Sequence, residues 1–157
     1  MIVLLDSDVL GMATNPKATP ENVACANWVK QLIIRGDEVR VPDITDYELR
    51  RILVWNAKRS GVTTTKGIRR LDELRREAGH LPLDTDTMLL ASDLWAQTMF
   101  SGRPLADPKT LNADVILAAQ AYMLRGTYPE IVIASGDPDL TFFDTADVKA
   151  MPWRSIP

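Results

Sequence analysis

The chain opens with an unbroken apolar run, Ile2-Val3-Leu4-Leu5, that stops at Asp6-Ser7-Asp8. Such a run without alternation is the pattern of a strand buried on both faces of a parallel sheet. After a loop at Asn15-Pro16 through Thr19-Pro20, Glu21–Arg35 places Val23, Ala26, Trp28, Val29, Leu32 and Ile33 at helical spacing, and Gly36 stops it. Glu38–Val41 reads as a short strand ended by Pro42. Asp43–Arg59 reads as a helix with Ile44, Tyr47, Ile52 and Trp55 inward. Thr64 or Thr65 caps a helix over about Lys66–Ala78, and Leu81-Pro82-Leu83 is a short or edge strand because Pro82 cannot donate to a ladder. Asp84 or Thr85 opens a helix to about Phe100 with Leu89, Leu90, Leu94, Trp95 and Met99 facing in. Ser101–Thr110 is a loop, and Leu111–Arg125 an Ala-rich helix ended by Gly126. Ile131–Ala134 is the strongest strand pattern, and a last short strand is expected around Met151-Pro152-Trp153.

Strands alternating with helices predict βαβ units and a parallel sheet covered by helices on both faces. No repeat, low-complexity segment or linker divides the 157 residues, so residues 1–157 are expected to form a single domain. No apolar run approaches the roughly 20 residues of a membrane span. The first residues lack a basic segment before the apolar run, which excludes a signal-peptide reading and makes the cytoplasm the expected location. One cysteine, Cys25, leaves no internal disulfide and no multi-thiolate zinc site, and its expected place is a helix core. The net charge of −3 hides an asymmetry. Residues 28–80 carry twelve Lys/Arg against eight Asp/Glu, while the remainder carries six against thirteen. An acidic whole with a basic middle suits a metal-dependent enzyme acting on nucleic acid better than a DNA-coating protein.

Four carboxylates stand out against this pattern. Asp6 and Asp137 each lie just beyond the carboxyl end of an apolar strand, where ligands of parallel sheets bind. Glu48 shares the helix face of Ile44 and Ile52, and Asp114 that of Leu111 and Ala118. No lysine or arginine shares either stripe, and an unpartnered buried carboxylate is costly. A metal ion is an economical partner. With only oxygen donors converging and His80 the single imidazole, Mg²⁺ or Mn²⁺ is favoured over zinc or copper, which points to phosphate or phosphodiester chemistry. Taken singly, Asp114 also suits a helix N-terminus, and Asp137 also suits the turn Gly136-Asp137-Pro138-Asp139. Lys66, Arg69, Arg70, Arg75 and Arg76 read as a solvated face paired with Asp72, Glu73 and Glu77, or as a phosphate contact. The tryptophans read as core, and His80 has no catalytic company.

Four segments together resemble the motifs of the PIN-domain family: LLDSDVL, ITDYELRRIL, LNADVILAAQA and IASGDPDL, in that order and at fitting spacing over nearly the whole chain. The third is the most specific. The resemblance implies a three-layer α/β/α fold with a central parallel sheet and Mg²⁺-dependent ribonuclease activity. It places Asp6, Glu48, Asp114 and Asp137 at the acidic metal-binding and catalytic positions, with Asp139 as an additional carboxylate. Asp8 departs from the pattern, standing where many members carry Asn or another small polar residue. In size the chain is similar to VapC-type toxins, which implies RNA as substrate, a small antitoxin as partner and a homodimer. Two other readings remain open: a non-catalytic PIN-like module that binds RNA or protein, and a haloacid-dehalogenase-type phosphatase using Asp6 and Asp8, which leaves Glu48 and Asp114 without a role.

Overall fold

The computed structural model describes residues 1–102 and 112–157. A five-stranded sheet, parallel throughout, runs in the order β3-β2-β1-β4-β5, from β1 (Ile2–Leu5), β2 (Glu38–Pro42), β3 (His80–Leu81), β4 (Ile131–Ala134) and β5 (Val148–Met151). The helices are α1 (Ser7–Thr14), α2 (Pro20–Ile34), α3 (Asp43–Arg59), α4 (Lys66–Ala78), α5 (Thr85–Phe100) and α6 (Ala113–Tyr122). Side chains alternate across the sheet and build two cores. Ile2, Leu4, Ile131 and Ile133 meet α5 and α6 on one face, while Val3, Leu5, Val132 and Ala134 meet α1, α2 and α4 on the other. This is the expected three-layer α/β/α arrangement.

Several details differ from the sequence pattern. Residues 7–14 carry no predicted element, yet Asp6 caps a helix there by accepting the Ser7 N–H at 2.6 Å. Pro152 ends β5 instead of lying within it, because it has no N–H to pair. Trp153 then starts a short 3-10 turn, is buried, and packs on Trp28 with ring centroids 5.6 Å apart. The third strand is two residues, His80–Leu81, ahead of Pro82. The Ala-rich helix stops at Tyr122, short of Arg125. The loop expected beyond Gly102 and the helix start at Leu111 fall outside the described residues.

The largest correction concerns the inward face of α3. Tyr47, Ile52 and Trp55 are 52%, 53% and 61% exposed. Ile44 is buried as expected, and the core-facing stripe continues through Thr45 and Ala57, buried, with Leu49 and Leu53 partly buried between them at steps of four. The helix turns its aliphatic side to the core and its aromatic side outward. Val23 on α2 and Leu89 on α5 are likewise exposed; α5 buries Leu94 as expected, together with Thr87, Ala91 and Thr98. The basic residues of α4 also find other partners than expected. Arg75 pairs with Asp43 at 2.7 Å, and Arg70 donates to the Asn15 carbonyl at 2.5 Å.

The setting of α3 is fixed by charge. Asp46 is buried and accepts from Arg50 at 2.9 Å, and Arg50 also reaches Asp72 on α4 at 2.8 Å. Asp43 accepts both from Arg75 and from the Leu83 backbone N–H. Removing Asp46 takes one of two carboxylate partners from Arg50, which keeps Asp72, so Asp46→Ala should lower stability by about 1–2 kcal/mol. Tyr47→Ala, on the exposed side of the same turn, should stay within about 0.5 kcal/mol. Urea unfolding of both variants, compared at equal m-values, checks the contrast.

Candidate functional site

Strand order reverses at the β1–β4 pair, since β2 and β3 lie on one side of β1 while β4 and β5 extend from the other. Ligands of open α/β sheets bind outside the carboxyl ends of the strands at such a point. The register pairs Leu5 with Ala134, so the residues that follow, Asp6 and Ser135, emerge side by side. Asp6 is 5% exposed. Its backbone N–H still donates to the Ala134 carbonyl at 3.1 Å, while its Oδ2 accepts the Ser135 hydroxyl at 2.5 Å. The Ser135 Oγ in turn accepts the Asp137 N–H at 2.9 Å. Ser135 therefore ties Asp6 to the backbone of Asp137. The sequence reading gives Ser135 no role; its position two residues before Asp137 in the fourth motif is the signal for it.

Asp137 caps a 3-10 turn, Pro138–Phe143, by accepting the Asp139 N–H at 2.8 Å. Its turn-forming and site-forming readings are thus compatible. Asp114 occupies the second position of α6, whose cap is Asn112. α6 packs against α3, the helix that carries Glu48. Glu48 lies at the margin of the buried stripe of α3 and is half-buried. Asp8, in the first turn of α1, is exposed and bonded to the Gly136 N–H.

Electrostatics shows that these acids are neighbours. Burial is the largest cause pushing Asp6 up to about 6, with the charges of Asp8 and Glu48 adding to it and the bonds from Ser135 and Ser7 opposing. Asp114 is also pushed up to about 6, by burial first and then by the charges of Asp6, Asp137, Glu48 and Asp139. A helix N-terminus favours an anion. At Asp114 that preference loses to desolvation and four like charges. All four predicted residues, together with Asp139, are brought into one electrostatic neighbourhood.

Among the described residues, no lysine or arginine pairs with Asp6, Glu48, Asp114, Asp137 or Asp139. Arg50 is engaged with Asp46 and Asp72, and Arg51 lies over the Tyr47 ring at 5.6 Å. The donor set is all carboxylate, the chemistry of a hard divalent cation. Among the described residues no three such side chains stand close enough to hold a metal ion as they are placed, so holding one requires the carboxylates to draw inward. His80 is exposed at the β3 edge and Cys25 is buried with its thiol pushed up to about 12, so neither belongs to the site. A groove lined by Asn15, Lys30, Arg70 and Glu73, among others, contains none of these carboxylates.

No protein-family model and none of the curated proteins matches the chain by sequence. Solved structures do match by fold. The chain is similar to one in VapBC2 from Rickettsia felis bound to a DNA fragment from the promoter, with a TM-score of 0.68 and 14% identity over 98% of this chain and 99% of that one. VapBC-1 from nontypeable Haemophilus influenzae gives 0.63 and 18% over 99% and 100%. FitAcB from Neisseria gonorrhoeae gives 0.62 and 22% over 98% and 99%. At these identities the likeness is one of fold, and the architecture is the PIN-like one that the motifs imply.

The raised carboxyls carry a stability signature. Asp6 and Asp114 bind protons more tightly folded than unfolded, where 3.8 is the ordinary value. Their contribution therefore favours the fold at low pH and is lost as pH rises from about 4 to about 6. Asp114→Asn should flatten that fall and gain on the order of 1 kcal/mol above pH 6, less than the full shift implies because Asp114 is only half-buried. Urea midpoints measured across pH 4–8 check the sign.

Proposed function

We propose that the protein is a metal-dependent endoribonuclease of the VapC kind. The observation that carries this reading is the convergence of four like charges, Asp6, Glu48, Asp137 and Asp139, on Asp114 near the strand-order switch, with no lysine or arginine paired to any of them among the described residues. A divalent cation, Mg²⁺ or Mn²⁺, supplies the missing charge. When bound, it brings Lewis-acid chemistry to a phosphodiester and lowers the pKa of water. Asp6, Glu48, Asp114 and Asp137 would hold it, with Asp6 and Asp114 the principal donors. The protein's own part is preorganisation. Ser7 and Ser135 restrict Asp6 to one orientation, and the Ser135 relay ties the Asp137 backbone to the same centre. The Asp6–Asp8 phosphatase reading leaves Glu48 and Asp114, both part of this charge group, without work.

The fold likeness to VapBC and FitAcB complexes supports a small antitoxin as partner. Among the described residues no helix is long and apolar enough to cross a membrane. The substrate we assign, from the carboxylate donor set and the motif resemblance, is RNA. The exposed Tyr47, Ile52 and Trp55 on α3 give a second copy of the chain an apolar face to cover. Sedimentation at high micromolar concentration should show a dimer, and Trp55→Glu should shift it to monomer. A wild-type monomer at that concentration refutes the self-association.

RNA cleavage with Mg²⁺ or Mn²⁺, with EDTA, and with Asp6→Asn and Asp114→Asn tests the enzyme. Each Asn is nearly isosteric, so the variants should fold and yet lose cleavage, as should the wild type in EDTA. Undiminished cleavage in EDTA or in both variants removes the metal mechanism. Absence of cleavage by the wild type leaves the non-catalytic binding module.

A further inference from the structure

Asp8 is exposed, yet both of its oxygens are engaged. Oδ1 accepts the Val9 N–H of its own helix turn at 2.5 Å, and Oδ2 accepts the Gly136 N–H at 2.8 Å from the far end of the chain. An acid in the first turn of a helix is ordinary, and the helix dipole accounts for its presence there. The dipole does not account for the reach to Gly136. Gly136 is not among the glycines with a positive φ, so its backbone does not call for glycine. Space does: a Cβ at this position would stand 2.7 Å from Asp8 Oδ2. The missing side chain leaves room for the carboxylate.

We propose that Asp8 is a positioning residue that clips the segment after β4 to the end of β1, and that Gly136 is there to admit it. Two tethers then hold three consecutive residues. Asp6 holds Ser135 and, through its hydroxyl, the Asp137 N–H; Asp8 holds Gly136. With residues 135 and 136 both fixed, the Asp137 carboxylate is delivered to the group that contains Asp114. The chain carries a carboxylate at this position, and only a carboxylate has two acceptor oxygens for the two N–H groups; an Asn amide has one. The consequence for catalysis rests on the ribonuclease reading, whereas the clip itself does not.

Two substitutions break the clip from opposite sides. Asp8→Ala removes the acceptor. Gly136→Ala keeps every charge and displaces the Asp8 side chain, whose free end can swing aside without unfolding the protein. Three measurements are made on the wild type, both variants and the double variant: amide hydrogen exchange over residues 135–139, Mn²⁺ affinity by titration, and kcat and KM on RNA. We expect each single variant to exchange faster across the segment, to bind Mn²⁺ about 10-fold more weakly, and to lose kcat with KM unchanged. The double variant should be no worse than either single one, because both remove one interaction. Unchanged exchange in both variants overturns the clip. So does loss of kcat in Asp8→Ala with a wild-type Gly136→Ala, since Asp8 would then act through its own charge. A wild type that neither binds Mn²⁺ nor cleaves RNA defeats the ribonuclease reading, and the exchange data still decide the clip.

Discussion

The parallel pairing of β1 with β4 is the constraint on which the acidic cluster depends. Leu5 lies opposite Ala134, and this alone brings Asp6 beside Ser135 and within one hydroxyl of Asp137. Side chains alternate along a strand, so a slip of one residue would turn Ile131 and Ile133 to the wrong core and carry Ser135 away from Asp6. The register is held by burial on both faces: all eight residues of the two strands are buried. Packing energy thereby fixes the position of polar groups that packing by itself disfavours. The sheet also sets how α6 and α3 must lie to cover it, and so decides which carboxylates from the helices can join.

The protein contains two kinds of buried acid, and they are settled in opposite ways. Asp46 is buried with Arg50 in contact and Arg75 nearby, a neutralised arrangement that ties α3 to α4. Asp6 is buried to a similar extent with, among the described residues, hydroxyl and amide donors alone, and it has neighbours of its own sign. Hydrogen bonds to an anion lower its pKa, yet at Asp6 desolvation and like charge outweigh two of them. A structural role calls for the first arrangement. The second, with no arginine paired to it among the described residues, fits the cation site that we propose. Perturbed carboxyls gathered at a strand-order switch mark a candidate functional site.

Much of this was legible in the sequence because strands buried on both faces leave a plain record. Ile2–Leu5 and Ile131–Ala134 match the observed strands residue for residue, and the acids that follow them needed only a parallel sheet to meet. Helix limits were legible where a cap or glycine marked them, as at Thr65 and Gly79 around α4. Facing was harder. On α3, large apolar residues occupy both sides: Tyr47, Ile52 and Trp55 point outward while Leu49, Leu53 and Ala57 point in. Apolar character cannot distinguish a core from a surface that another molecule covers. α1 was missed because the Asp-Ser-Asp that closes β1 also opens a helix, and Gly11 within it weakens the helical signal. Ser135 and Gly136 were hidden for a different reason: their roles are set by residues about 128 positions away, and only the sheet makes them adjacent.

The misjudged face of α3 also bears on how the site is held. Glu48 follows Tyr47 directly and sits at the boundary between the leucine stripe and the exposed aromatic ridge. On one side the helix is fixed by Asp46, Arg50 and Asp72, and at its start by Asp43 with Arg75. These pairs lock its rotation, and a helix rotated by one residue would carry Glu48 either into the core or out to solvent. The carboxylate is thus kept at the rim, where it is dry enough to be felt by Asp6 and Asp114 and open enough to meet a ligand. Covering the aromatic ridge with a second copy would bear on the same helix from its outer side and restrict that rotation further. The self-association we propose and the acidic site would in this sense be one mechanical problem, met on two faces of a single helix.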